Sequence, residues 1–313
     1  MSQQILLYSF EHDIDIYAKL LVEAGLGSQL LVCKNLEDLQ VNMPNADLIF
    51  SIHMPPEVYR LAEKVQWIQS MWAGVDKLIP APIRPEVIIT KPTKVFGQYL
   101  SQYVFGYYLA SKIRLRQAMA SQQEKVWKRY QLTPIYGTKI GIAGFGDIGI
   151  EIARVAKSFL MEVWSLNTKP KNHEHIDRAF GLEQIKEFVA GVDLLVIVLP
   201  NTAETKGLFT FEVLSSMKPD AMLINVGRGA VIDEEALVEI LRQEKIAGAV
   251  LDVFVQEPLP TEHPFWSLAN CVVTPHIGGP SLPIDITCCF LENYKRFVSG
   301  EQLIGVIDRS RGY

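Results

Sequence analysis

Apolar residues come in two rhythms along this chain, and the rhythms alternate. Short runs at 4–10, 28–33, 46–52, 67–71 and 87–90 are dense in aliphatic and aromatic residues, which predicts strands. Residues 14–24 place apolar side chains at helical spacing and stop at Gly25, and 55–64 predict a helix opened by Pro55 and Pro56. Residues 100–127 run on with few breakers and read as one or two helices linking two halves of the chain. After a turn-rich break at 133–137, strands are predicted at 139–143, 162–166, 193–199, 221–225, 248–253 and 271–274. Helical spacing separates them at 147–159, 182–188, 211–217 and 234–244, and a last helix covers about 284–299. Strands alternating with helices build parallel sheets. The run 194–199 is apolar without interruption, as a strand covered by helices on both faces should be.

The chain has 313 residues, which divides comfortably into two domains of ordinary size. A net charge of −5 with no basic stripe excludes nucleic acid as a main partner, although a few local charges can still hold an anionic substrate. The cysteines, Cys33, Cys271, Cys288 and Cys289, show no metal spacing and read as reduced thiols. Residues 1–11 lack the pattern of a secretory leader and no stretch is long enough to span a bilayer, so the expected location is cytoplasmic, off the membrane.

Chemistry enters at Gly144-Phe145-Gly146-Asp147-Ile148-Gly149, a G-x-G-x-x-G directly after the strand 139–143 and at the start of a helix. In that setting Gly144 permits the tight turn, Gly146 lets the backbone approach a pyrophosphate, and Gly149 lets helix and strand pack closely. The next strand should end in a carboxylate that holds the adenosine ribose. Here it ends in Asn167, Thr168 and Lys169, with Lys171 just beyond. Neutral side chains would not repel a 2′-phosphate and the lysines would attract one. The residues therefore favour NADP(H), with NAD(H) still possible.

Three later segments put titratable residues at successive strand ends, where open parallel sheets bind ligands. They are Asn225-Val226-Gly227-Arg228-Gly229, the stretch from Asp252 to Glu257-Pro258, and Thr274-Pro275-His276 with Gly278. Singly, Arg228 reads as a turn residue, Glu257 as a loop charge and His276 as a structural histidine. Together, behind a dinucleotide turn, they suit reduction of a 2-oxo acid. The histidine donates a proton to the carbonyl oxygen, the carboxylate orients the histidine, and the arginine pairs with the substrate carboxylate. His173 and His175 form an HxH with no third ligand in view and read as a solvated loop, not a metal site. His53 reads as a capping or surface residue.

These segments, with Leu199-Pro200 through Thr205 and Gln69 through Asp76, resemble the D-isomer-specific 2-hydroxyacid dehydrogenase family over nearly the whole chain. The tail, Val306 through Gly312-Tyr313, resembles its glyoxylate/hydroxypyruvate reductase A branch. The resemblance implies an α/β fold of two doubly wound parallel-sheet domains, a Rossmann cofactor domain (99–281) inserted into a flavodoxin-like substrate domain (1–98 plus 282–313). It implies Arg228, Glu257 and His276 as the catalytic set, with backbone N–H groups of Ala73 and Gly74 on the substrate carboxylate. It places Asp147 and Ile148 at the pyrophosphate, Asp252 at the nicotinamide amide and 199–205 beside the cofactor. It also implies a homodimer through about 100–127. Trp72, beside the substrate loop, either narrows the pocket toward small acids or belongs to the core. Gln102 stands where the family is often acidic. The expected activity is reduction of a short 2-oxo acid, such as glyoxylate or hydroxypyruvate, to the D-2-hydroxy acid. The alternatives are a nicotinamide-sensing binding protein without turnover and a dehydrogenase for another small anion.

Overall fold

The computed structural model describes residues 3–10, 13–170 and 172–312. Lys171, one of the lysines expected near a 2′-phosphate, lies outside them, as do Tyr313 of the tail motif and Met1, Ser2 and Glu11 of the N-terminal stretch. In chain order the first elements are β1 (Ile5–Tyr8), α1 (Ile14–Glu23), β2 (Leu30–Cys33), α2 (Leu36–Asn42), β3 (Leu48–Ser51), β4 (Trp67–Ser70) and β5 (Ile88–Thr90). Then come α3 (Phe96–Lys112), α4 (Leu115–Gln123), β6 (Lys139–Ala143), α5 (Asp147–Ser158), β7 (Glu162–Asn167), β8 (Arg178–Gly181), α6 (Ile185–Gly191) and β9 (Leu194–Ile197). The chain closes with α7 (Phe211–Leu214), β10 (Met222–Asn225), α8 (Glu234–Arg242), β11 (Gly248–Leu251), β12 (Cys271–Val273) and α9 (Pro283–Val298). It forms two compact units, one of residues 1–96 with 281–313 and one of 97–280.

The first unit holds a parallel sheet in the order β2-β1-β3-β4-β5. β1, β3 and β4 are buried along their whole length. The return of α9 completes the core. The Phe290 ring is fully buried between Phe50 (4.5 Å) and Trp67 (5.2 Å), nearly parallel to both. A buried polar chain fixes the register of this return: Trp67 Nε1 donates to Thr90, Thr90 Oγ1 to Gln69, and Asn293 Nδ2 to the same Gln69 oxygen at 3.0 Å. Every member has its partner, so the network specifies the fit without stranding a buried polar group.

The second unit holds a seven-stranded parallel sheet in the order β12-β11-β10-β9-β6-β7-β8. Six of these strands follow the Rossmann order, and the direction in which successive strands are added reverses between β6 and β9, all of them running parallel. Helices cover it as their sequences dictate. In α8, Ala236, Leu237, Val238, Ile240 and Leu241 are buried, two glutamates sit in the first turn, and the Asp233 carboxylate caps the Ala236 N–H at 3.0 Å. Residues 55–64, expected to be α-helical, instead form a 3-10 segment over Pro56–Leu61, which buries only Val58 and Tyr59, too small an apolar face to hold a longer α-helix.

Candidate active site

The glycine-rich turn lies at the C-terminal end of β6, at the switch point of the second sheet. Gly144 has φ +100°, and a Cβ there would stand 2.9 Å from the carbonyl of Val198, at the end of β9. Only glycine fits both the backbone angle and the space. A Cβ on Gly149 would meet the Gly144 oxygen at 2.2 Å, so helix and turn touch backbone to backbone. Gly146 is the exception: a Cβ there would meet nothing within 4 Å. It faces open space in front of the first turn of α5, where Asp147 and Ile148 present the N–H groups of a helix N-terminus. A dinucleotide pyrophosphate fits this cradle.

At the end of β7, Asn167 Oδ1 accepts the Phe145 N–H at 2.8 Å and so braces the turn from the side. Thr168 is half-buried and Lys169 exposed beyond it. The His173 ring stands edge-on to Phe145 (5.5 Å) and 5.2 Å from the ring of His175, and both histidines are half-buried. The segment is a loop, as expected, with these rings packed against each other and the turn. Leu199 and Val226 are buried, and a Cβ on Gly227 would come within 2.9 Å of the Leu199 backbone. Thr205 Oγ1 donates to the Pro200 carbonyl at 2.5 Å and accepts the Thr202 N–H, closing that loop on itself.

Arg228, Glu257 and His276 follow β10, β11 and β12, and the structure brings Glu257 and His276 into contact. The Glu257 Oε2 atom lies 2.8 Å from His276 Nδ1, and Oε1 accepts the Phe254 N–H at 2.9 Å. Burial by itself pushes the Glu257 carboxyl up. The hydrogen bonds from His276 and Phe254, and the charges of His276 and Arg228, outweigh burial and hold it below the usual carboxylate range. One Arg228 N–H goes to the Gly227 carbonyl at 2.7 Å, which fixes the direction of the guanidinium. Asn225 ties this turn together, accepting from Gly227 N and donating to the Arg228 carbonyl. Gly229 is pressed against Phe254: a Cβ would lie 2.0 Å from its carbonyl carbon, so the Arg228 and Glu257 loops are fitted to each other.

His276 has φ +54°, left-handed backbone that few non-glycine residues adopt. Asp252 overdetermines it. The Asp252 carbonyl accepts the His276 N–H at 2.9 Å, and its nearly fully buried carboxylate accepts Thr274 Oγ1 (2.6 Å), Ile277 N (2.9 Å) and Gly278 N (2.9 Å). A residue expected to face the nicotinamide amide thus has both oxygens engaged in the histidine turn. Thr274 and Tyr103, which completes this network from α3, were missed by sequence reasoning. The one signal was a threonine ending an apolar strand just before Pro275-His276.

In the first unit, Ala73 and Gly74 are half-buried after β4, and Ser70 Oγ closes their loop by accepting from Trp72 N and donating to Trp72 O. Trp72 is half-buried, not a core residue, with its ring edge-on to His53 (4.7 Å) and Phe10 (6.2 Å). Phe10, His53 and Trp72 follow β1, β3 and β4, at the switch point of this sheet. His53 therefore braces a ring, a role that its isolated position in the sequence did not suggest.

Residues 105–278 match the sequence profile described as D-isomer specific 2-hydroxyacid dehydrogenase, NAD binding domain. The glyoxylate/hydroxypyruvate reductase A of Serratia proteamaculans (strain 568) is 30% identical over 275 residues, covering 86% of this chain and 88% of its own. A solved D-isomer specific 2-hydroxyacid dehydrogenase family protein from Aeromonas salmonicida subsp. salmonicida A449 is 35% identical with a TM-score of 0.90, covering 98% of this chain and 100% of that one. A D-isomer specific 2-hydroxyacid dehydrogenase from Xanthobacter autotrophicus Py2, solved with NADPH and MES, is 28% identical with a TM-score of 0.90, covering 100% of each chain.

Proposed function

The chain belongs to the D-isomer specific 2-hydroxyacid dehydrogenase family, and from that premise we propose that it reduces a short 2-oxo acid of the glyoxylate or hydroxypyruvate kind to the D-2-hydroxy acid, preferring NADP(H) over NAD(H). The observation that carries this reading is the Glu257–His276 pair at 2.8 Å, held in the same unit as the dinucleotide turn. When bound, the nicotinamide supplies the hydride. Negative charge then gathers on the carbonyl oxygen, and the protein must deliver a proton to that atom. Both Glu257 oxygens are acceptors, so His276 Nδ1 carries a proton, and Nε2 gives its own proton to the substrate oxygen or takes one in the reverse direction. Arg228 pairs with the substrate carboxylate and polarises the carbonyl. In the first unit, the N–H groups of Ala73 and Gly74 are the ones that the family resemblance assigns to a substrate carboxylate.

The first unit serves as the substrate domain in this reading and the second as the dinucleotide domain. Trp72, braced by two rings, forms a wall that favours small acids. The absence of a carboxylate at Asn167, and the NADPH bound by the Xanthobacter relative, support NADP(H). A homodimer through about 100–127 is supported by the apolar surface there: α4 has no buried residue, Met119 and Val126 are exposed, and Trp127 is 92% exposed. Among the described residues no helix is long and apolar enough to cross a membrane. All four cysteines are free thiols, which supports a cytoplasmic setting. The test is loss of reduced-nicotinamide absorbance against a panel of short 2-oxo acids, with NADPH and NADH side by side. Turnover of glyoxylate or hydroxypyruvate, faster with NADPH, is expected. Cofactor binding without turnover of any oxo acid would overturn the assignment.

A further inference from the structure

We infer that Tyr103 is a positioning residue for the proton donor, acting through Thr274 and Asp252 to hold the turn that carries His276. The inference rests on the catalytic role of His276 proposed above. Tyr103 lies on α3, far from β12 in sequence, yet its hydroxyl is 2.5 Å from Thr274 Oγ1, which is itself 2.6 Å from Asp252 Oδ1. The direction of the protons follows from the ends of the chain. An ionised carboxylate only accepts, so Thr274 donates to Asp252, and the threonine oxygen must receive its hydrogen bond from the phenol. Burial, the largest influence on this phenol, raises its pKa, so Tyr103 stays a protonated donor across the neutral range.

Beyond Asp252 the same carboxylate takes the N–H groups of Ile277 and Gly278, the two residues that follow His276. The turn is also clamped sterically. A Cβ on Gly278 would meet Asp252 Oδ2 at 3.0 Å on one side and the side chains of Leu100 and Tyr103 at 3.2 Å on the other. The Tyr103 ring is set against Tyr107 one helical turn along, with centroids 4.8 Å apart. The phenol thus completes a chain of three acceptors and donors whose last members flank a left-handed histidine. Left-handed backbone at a histidine persists only where its surroundings overdetermine it. Loss of the phenolic donor leaves the threonine oxygen short of a partner and loosens the carboxylate that pins the turn. Neither Tyr103 nor Thr274 need touch substrate for this to matter.

The test compares Tyr103→Phe, Thr274→Val and Thr274→Ser in the full-length protein. The readouts are steady-state kinetics with glyoxylate and NADPH, thermal melting, and hydrogen–deuterium exchange of the backbone over 274–280. Tyr103→Phe, which removes one hydrogen bond, should lower kcat about three- to tenfold, and Thr274→Val, which removes the bonds to both Tyr103 and Asp252, by at least as much. KM for the acid, NADPH affinity and melting temperature should stay near the parent's, while exchange over 274–280 quickens. Thr274→Ser, which keeps the hydroxyl, should restore both kcat and slow exchange. Parental kcat and exchange in Tyr103→Phe would overturn the inference. So would a fall in kcat that follows the melting temperature and is not rescued by serine. The exchange measurement needs no substrate, so a parent without turnover on any oxo acid would refute the proposed activity while leaving this network testable.

Discussion

Replacing Glu257 by glutamine changes one oxygen to an amide nitrogen and leaves the shape of the side chain alone. The structure says why this should still be expensive. Both carboxylate oxygens accept, one from the Phe254 N–H at 2.9 Å and one from His276 Nδ1 at 2.8 Å. An amide has one accepting oxygen and a donating nitrogen. If the amide oxygen stays on Phe254, the amide nitrogen faces His276 Nδ1, which can then accept only by moving its proton to Nε2. In that tautomer the ring is neutral, so giving the Nε2 proton to the substrate oxygen would leave an imidazolate, and in the reverse direction Nε2 cannot take up the alcohol's proton. If the amide turns over, two donors face each other at Phe254 and a partly buried N–H goes unmet. An unmet donor costs about 1–3 kcal/mol, which is roughly a 5- to 150-fold loss in kcat. The lost charge adds no more than about 1 kcal/mol, because the two side chains are 38% and 51% exposed and water screens them. Steady-state reduction of glyoxylate and hydroxypyruvate with NADPH at neutral pH would measure this, with kcat falling more than KM for the acid. A Glu257→Gln enzyme within twofold of the parental kcat would refute the assignment of the pair as the proton-transfer unit.

Three further outcomes follow from the geometry. Asn167→Asp keeps the oxygen that accepts from Phe145 but adds a charge where the proposed reading puts the adenosine end. Like charges a few ångströms apart repel by about 1 kcal/mol or more in water-like surroundings, so NADPH affinity should fall roughly five- to tenfold and NADH affinity much less. Fluorescence titration with the two cofactors would measure the difference, and equal losses would reject the placement. Phe290→Ala opens a cavity between Phe50 and Trp67 and should cost about 3–5 kcal/mol in urea unfolding of the first unit, with a loss under about 1 kcal/mol counting against a core role. Because the Glu257 carboxyl is held below its usual range, its contribution to stability is present above that range and lost as pH falls through the lowered value. The gap in melting temperature between the parent and Glu257→Gln should therefore narrow as pH falls from about 6 through the lowered carboxyl value, the charge's share being worth under about 1 kcal/mol for a group this exposed.

The long parallel strands were legible in the sequence because burial on both faces leaves an uninterrupted apolar run: β6 falls at the expected residues, and β9 inside 193–199. Two elements gave no such signal. The helix α2 buries only Leu39, so its amphipathic stripe is too thin to read, although Asn35 caps it with a bond from Asp38 N. The edge strand β8 is four residues long and begins with an exposed arginine, which hides it among turn residues. At the site, Gly144 and Gly149 stand where a Cβ would not fit, and Glu257 and His276 stood out as titratable residues at successive strand ends. What could not be read was the work done between distant segments. Tyr103 and Thr274 are 171 residues apart, and neither is unusual in its own neighbourhood. Trp72 was left open between pocket and core because its neighbours Phe10 and His53 come from other strand ends.

The return of α9 to the first sheet has a consequence during synthesis. Asn293, which hydrogen-bonds Gln69, leaves the ribosome 224 residues after it. At about 5–20 residues per second that gap lasts roughly 10–45 s. The second unit is one unbroken stretch, 97–280, and can reach its final form within that interval. The first sheet cannot, because the faces of Phe50 and Trp67 that Phe290 will cover stay open until α9 has been made. Of the two units the first to be started is thus the second to be finished, and through that interval the open faces of Phe50 and Trp67 are apolar surface on a nascent chain, the kind that makes an incomplete domain prone to aggregate.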